Sequence, residues 1–139
     1  MKRKKYILLF GLLAFFVLGF AAEFSVVVHP DNPTTEINAS DLQNIYLGRK
    51  STWDDGKPIE VLVLKEGDVH SAFLKEVVKK SPSQFAIFWK KAVFTGTGTP
   101  PKEFATEDEL LAYLANHPQA VGYVSAGKAE TAKSLNLIP

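Results

Sequence analysis

Apolar positions along this chain fall into blocks, and the spacing inside each block changes from one to the next. Phe24-Ser-Val-Val-Val-His29 is a β-branched run closed by Pro30, the pattern of a buried strand. Leu42, Ile45 and Tyr46 then share one helical face. Ser40-Asp-Leu-Gln43 ahead of them has the form of a capping box, and Gly48 stands where such a helix would end. Ile59-Glu-Val-Leu-Val-Leu64 returns to a strand, expected to be buried on both faces. Asp68 is placed to cap a helix whose inward stripe is Phe73, Leu74, Val77 and Val78. Ser81-Pro82-Ser83-Gln84 is the clearest helix start in the chain, with a cap, a proline at the first helical position and a glutamine at the third. Phe85, Phe88, Trp89 and Ala92 follow it at helical spacing. Thr106-Glu-Asp-Glu109 repeats the capping pattern before Leu110, Leu111 and Leu114, and Ala120-Val-Gly-Tyr-Val124 forms the last strand.

Between these blocks lie turn residues: Pro30-Asp-Asn-Pro33, a turn around Trp53-Asp54-Asp55-Gly56, and Gly96-Thr-Gly-Thr-Pro-Pro101, which cannot continue a helix. Three strands separated by helices predict an α/β domain with a mixed, partly parallel sheet and helices packed on it. Trp53 and Trp89 are expected to pack in it, because large aromatics lose most by remaining in water.

The block before Phe24 is of another kind. Lys2, Arg3, Lys4 and Lys5 precede an uncharged stretch over 6–22, the order of a secretory signal. Gly19 and Ala21 supply the small residues needed for cleavage after Ala21, so residues 1–21 are expected to be a signal peptide and 22–139 the exported domain. The rival reading, a retained anchor, requires a span of about 20 apolar residues. No later stretch is apolar enough to cross a bilayer, so no stable membrane insertion is expected after cleavage.

Charge narrows the partners. Four of the sixteen basic residues lie in the leader, leaving twelve against fifteen acidic ones, a net charge of −3. That balance argues against nucleic acid. The chain has no cysteine, so disulfides, thiolate metal sites and a lipid-modified cysteine anchor are all excluded. His29, His70 and His117 are scattered without metal-ligand spacing, no nucleophile motif occurs, and neither cofactor nor catalysis is expected.

Several motifs together carry a resemblance. Leu42-x-x-Ile45-Tyr46-Leu47-Gly48 followed by Trp53 and Gly56, Trp89-x4-Phe94-Thr-Gly-Thr-Gly-Thr-Pro-Pro101, and Val121-Gly-Tyr-Val124 resemble the periplasmic phosphate-binding proteins of ABC transporters and their short relatives. The resemblance implies a single lobe of the type 2 periplasmic-binding-protein-like fold. It also implies a periplasmic location and phosphate or a similar oxyanion as ligand. A transporter permease, a second subunit or an envelope protein would be the partner. In that family part of the site is a Ser-Gly-Thr turn between a strand and a helix. Here Asp68-Val69-His70 stands in its place, with Leu64 or Lys65 where an arginine is usual.

The ligand-binding candidates are therefore Asp68, His70 and Ser71. Asp68 would accept a hydrogen bond from a protonated oxyanion, though as a helix cap it would instead occupy the free N–H groups. A protonated His70 would contact the anion, although a histidine in a first turn is ordinarily a surface residue. Ser71 would donate its hydroxyl. The lost Ser-Gly-Thr turn leaves a second reading open: an envelope interaction module, keeping the fold without the ligand, that uses Trp53 and the 96–101 loop.

Overall fold

The computed structural model describes residues 23–139, so the predicted signal peptide lies outside the described residues. In chain order the elements are β1 (Phe24–Val28), β2 (Glu36–Asn38), α1 (Ala39–Tyr46), β3 (Glu60–Leu64) and α2 (Asp68–Phe73). There follow α3 (Pro82–Thr95), β4 (Lys102–Phe104), α4 (Glu107–Leu114), β5 (Ala120–Ser125), β6 (Lys133–Ser134) and β7 (Asn136–Ile138). The main sheet has the order β4-β3-β5-β1-β6, and β2 pairs with β7 apart from it. β3 is parallel to β4 and β5, whereas β1 is antiparallel to β5 and β6. Helices make this possible, because parallel neighbours need a long crossover: α2 and α3 connect β3 to β4, and α4 connects β4 to β5.

Sheet and helices meet in one apolar core. Val26, Val27, Val28, Leu62, Val121 and Tyr123 are buried in the strands, with Leu42, Ile45 and Tyr46 of α1 in the same cluster. Phe73, Leu74, Val77 and Val78 are all buried as predicted, but the helix widens into a π-helical stretch over Leu74–Val78. Phe73 stacks on Tyr123 with ring centroids 3.9 Å apart, and Tyr46 donates from Oη to the Leu62 carbonyl at 2.8 Å. The strands predicted from β-branched runs are β1, β3 and β5. The other four have two or three residues each, too short to show alternation in sequence.

Capping is where local sequence was read less well. The box at Ser81 forms: its hydroxyl accepts from the Gln84 N–H at 3.1 Å, and the Gln84 side chain accepts from the Ser81 N–H at 2.9 Å. At Thr106 only half forms, the hydroxyl accepting from the Glu109 N–H. The expected box at Ser40 does not form. α1 starts two residues earlier behind Asn38, and Gln43 is drawn away to donate to the Val78 carbonyl at 3.0 Å. A tertiary hydrogen bond to an otherwise unpaired carbonyl at the end of the π-helical stretch outcompetes the local one.

Of the fourteen residues of α3, only Phe85 and Trp89 are buried. Trp89 donates from Nε1 to the Tyr46 carbonyl at 3.1 Å, tying α3 to α1. Its indole lies against Gly48 and Gly98, so the 96–101 loop is folded back over α3's own anchor. Trp53 is likewise buried and donates to the Gln119 carbonyl at 3.1 Å. Both tryptophans are packing residues.

Candidate functional site

Because α3 stands off the sheet on two side chains, hollows remain beside it. The one of interest, about 350 Å³, lies between α3 and the β3–β4 edge. Val63 and Leu64, at the carboxyl end of β3, line it together with Phe85, Trp89, Val93 and Pro101. Open parallel sheets characteristically place ligands at the carboxyl ends of their strands. The polar groups here are few: Lys65, Lys90, Glu103 and His70.

His70 is the third residue of α2, and it is buried to 5% exposure rather than lying on the surface. A chain of hydrogen bonds orients its ring and favours one tautomer. The Leu64 N–H donates to Tyr123 Oη at 3.1 Å, and Tyr123 Oη lies 2.5 Å from His70 Nδ1. Burial pushes the Tyr123 phenol up, against a smaller opposing pull from the Leu64 N–H, so the hydroxyl keeps its proton. With an oxygen already accepting from Leu64, that proton points to Nδ1. His70 therefore accepts at Nδ1 and carries its own proton at Nε2. Burial also holds the His70 pKa below the ordinary 6.5, which favours the neutral ring. Burial thus favours a neutral, oriented N–H donor over the protonated ring.

Nε2 has no hydrogen-bond partner among the described residues. No fully enclosed side-chain nitrogen or oxygen among them lacks a partner, so Nε2 is open to the hollow that His70 lines.

The other two candidates sit elsewhere. Asp68 is exposed and is the first residue of α2, not its cap; the cap position belongs to Gly67, whose φ of 107° suits glycine. No side chain bonds the first-turn N–H groups, so the expectation that the Asp68 carboxylate would occupy them is not met. Ser71 is exposed, in a second hollow with Lys75, Lys79, Lys80 and Ser81. The structure thus parts His70 from Ser71. Among the described residues, no group of three or more His, Asp or Glu side chains could hold a metal.

Three participants were not singled out from sequence. Tyr123 lies 53 residues from His70, and no local pattern links them. Lys65 stands in the sequence only where an arginine is usual, and no motif marks Lys90. A lysine whose stem borders apolar surface reads in sequence like any solvated one.

No protein-family profile matches the chain, and no curated protein matches it in sequence. Solved structures do. A protein of Clostridium perfringens, described as a phosphate ABC transporter substrate-binding protein with bound phosphate, superposes with a TM-score of 0.62 at 17% identity. The match covers 82% of this chain and 44% of that one. PstS from Borrelia burgdorferi gives a TM-score of 0.63 at 13% identity, over 82% and 46% of the two chains. An ABC-type phosphate transport receptor from Vibrio cholerae gives 0.56 at 17%, over 82% and 45%. The class this defines is the periplasmic-binding-protein-like α/β fold, of which the chain carries the equivalent of one lobe. It spans less than half the length of the proteins it superposes on, two of which are described as phosphate transport components.

Proposed function

We propose that this chain works outside the cytoplasm as a single-lobe binding protein for phosphate or a similar oxyanion, forming one wall of a site that a second chain completes. The observation that carries the reading is the neutral His70 N–H, open to a hollow that Lys65 and Lys90 also line at the carboxyl end of β3. The likeness to proteins described as a phosphate substrate-binding protein with bound phosphate and a phosphate transport receptor supports it. In this reading the two ammonium groups supply charge and His70 supplies direction. Export by residues 1–21 brings the chain to the periplasm, and a transporter permease or second subunit provides the other wall.

Charge-assisted hydrogen bonds contribute about 1.5–3 kcal/mol each. Two or three of them on one wall give a dissociation constant on the order of 0.1–1 mM. Isothermal titration of residues 22–139 with phosphate tests this. We expect saturable binding in that range, weakened at least about tenfold by His70→Gln and little changed by Ser71→Ala. Loss through Ser71→Ala alone would move the anion to the lysine-lined hollow, and no binding by the folded domain would end the oxyanion reading.

A second reading has its own observation. Phe94 is 91% exposed and Ile87 65%, both on the outer side of α3. An envelope interaction module that has lost its ligand would keep such a surface, and loss of a co-purifying partner on replacing both side chains tests it.

A further inference from the structure

Inorganic phosphate would leave most of the α3 hollow unfilled. It is a small tetrahedral anion with no apolar surface, whereas the hollow holds about 350 Å³, enough for a drug-like fragment. Its polar groups are limited to His70, Lys65, Lys90 and Glu103. The remaining walls, including Val63, Phe85, Trp89, Val93 and the Pro100-Pro101 pair, are apolar. His70 lines it at 5% exposure, with Phe85 beside it at a ring-centroid distance of 6.4 Å.

We infer that the ligand class of this site is an organic phosphate: a phosphate head joined to an apolar, ring-sized body. This inference rests on the oxyanion reading above and specifies its substrate. The head accepts from His70 Nε2–H and is neutralised by Lys65 and Lys90. The body lies along α3 against Phe85, Trp89 and Val93. Each part needs the other. An apolar body alone leaves the buried N–H without an acceptor, and a bare anion leaves the apolar walls wet. Glu103, also on the rim, works against additional negative charge and favours a single phosphate over a diphosphate.

Burying one ring against apolar walls is worth at least about tenfold in affinity. The probes are inorganic phosphate, phenyl phosphate and phenol, titrated calorimetrically into residues 22–139. We expect phenyl phosphate to bind about tenfold or more tighter than inorganic phosphate, with phenol far weaker than either. The ratio of phenyl phosphate to phosphate affinity should fall toward one in Val93→Asp, whose half-exposed position makes a folded variant the expected product. Circular dichroism checks that folding, and Ala86→Asp on the same wall is the alternative if it fails. Equal affinities for phosphate and phenyl phosphate would overturn the organic-phosphate class while leaving the oxyanion reading in place. Binding of neither would overturn both. Phenol binding as tightly as phenyl phosphate would show that the head is not recognised and would equally overturn the inference.

Discussion

His70 shows how far a residue's identity stands from its role. In sequence it is a histidine in a helical first turn, for which surface exposure and a titrating charge are the ordinary expectation. Folded, it is buried and takes its orientation from Tyr123, which in turn is held by the Leu64 N–H. The depressed pKa has a signed consequence for stability. As pH falls through 6.5 the unfolded chain takes up a proton that the folded ring resists, so the unfolded state is favoured progressively. The contribution is complete above pH 6.5, is lost as pH drops toward the folded value, and is flat below it. Melting temperatures between pH 7.5 and pH 5 should therefore fall more steeply for wild type than for His70→Gln. Parallel slopes would mean that His70 titrates alike in both states.

Among the elements, α3 was the most legible in its start and the least legible in its packing. Ser81, Pro82 and Gln84 are adjacent, and a cap is decided by adjacent residues, so the box could be read directly. What holds α3 down is not adjacent. Trp89 reaches the Tyr46 carbonyl 43 residues away, and its indole occupies the space beside Gly48. Gly48 has a φ of 73°, and a Cβ there would lie 2.8 Å from Trp89 Cη2. Gly48→Ala combines left-handed strain with displacement of the indole. We expect it to destabilise the domain by about 2–4 kcal/mol in urea unfolding. A change within about 0.5 kcal/mol would show that Trp89 moves aside freely and is not α3's anchor. The Ser40 box misled for the complementary reason: its Gln43 found a better partner on another element, Val78.

On the scale of the whole molecule, the outer side of α3 is the conspicuous surface. Burying a side chain such as Phe94 or Ile87 is worth about 1.5–3 kcal/mol, yet the fold leaves both in water. A second chain on that side would recover part of this and, on the single-lobe reading, would also close the hollow. The double variant Ile87→Ser, Phe94→Ser should leave the melting temperature nearly unchanged, because neither residue packs in the described core. If the interaction-module reading holds, it should release an envelope protein that co-purifies with wild type. Retention of that protein by the variant, or a strictly solitary wild type, would remove α3 as the contact.

Sequence alone determined the α/β class, the three long strands, the four helix positions and the lack of cysteine. Each depends on residues near one another in the chain: β-branched runs, helical periodicity, caps and turn residues. It also pointed to the start of α2 as the candidate site. Tertiary structure decided what that neighbourhood is. It set His70 inward and Ser71 outward, brought Tyr123 to His70, and put Lys65 and Lys90 on one hollow. It also left α3 standing away from the sheet on two side chains. None of these relations has a signature in local spacing, because each is fixed by where the sheet and the crossover helices bring distant segments together.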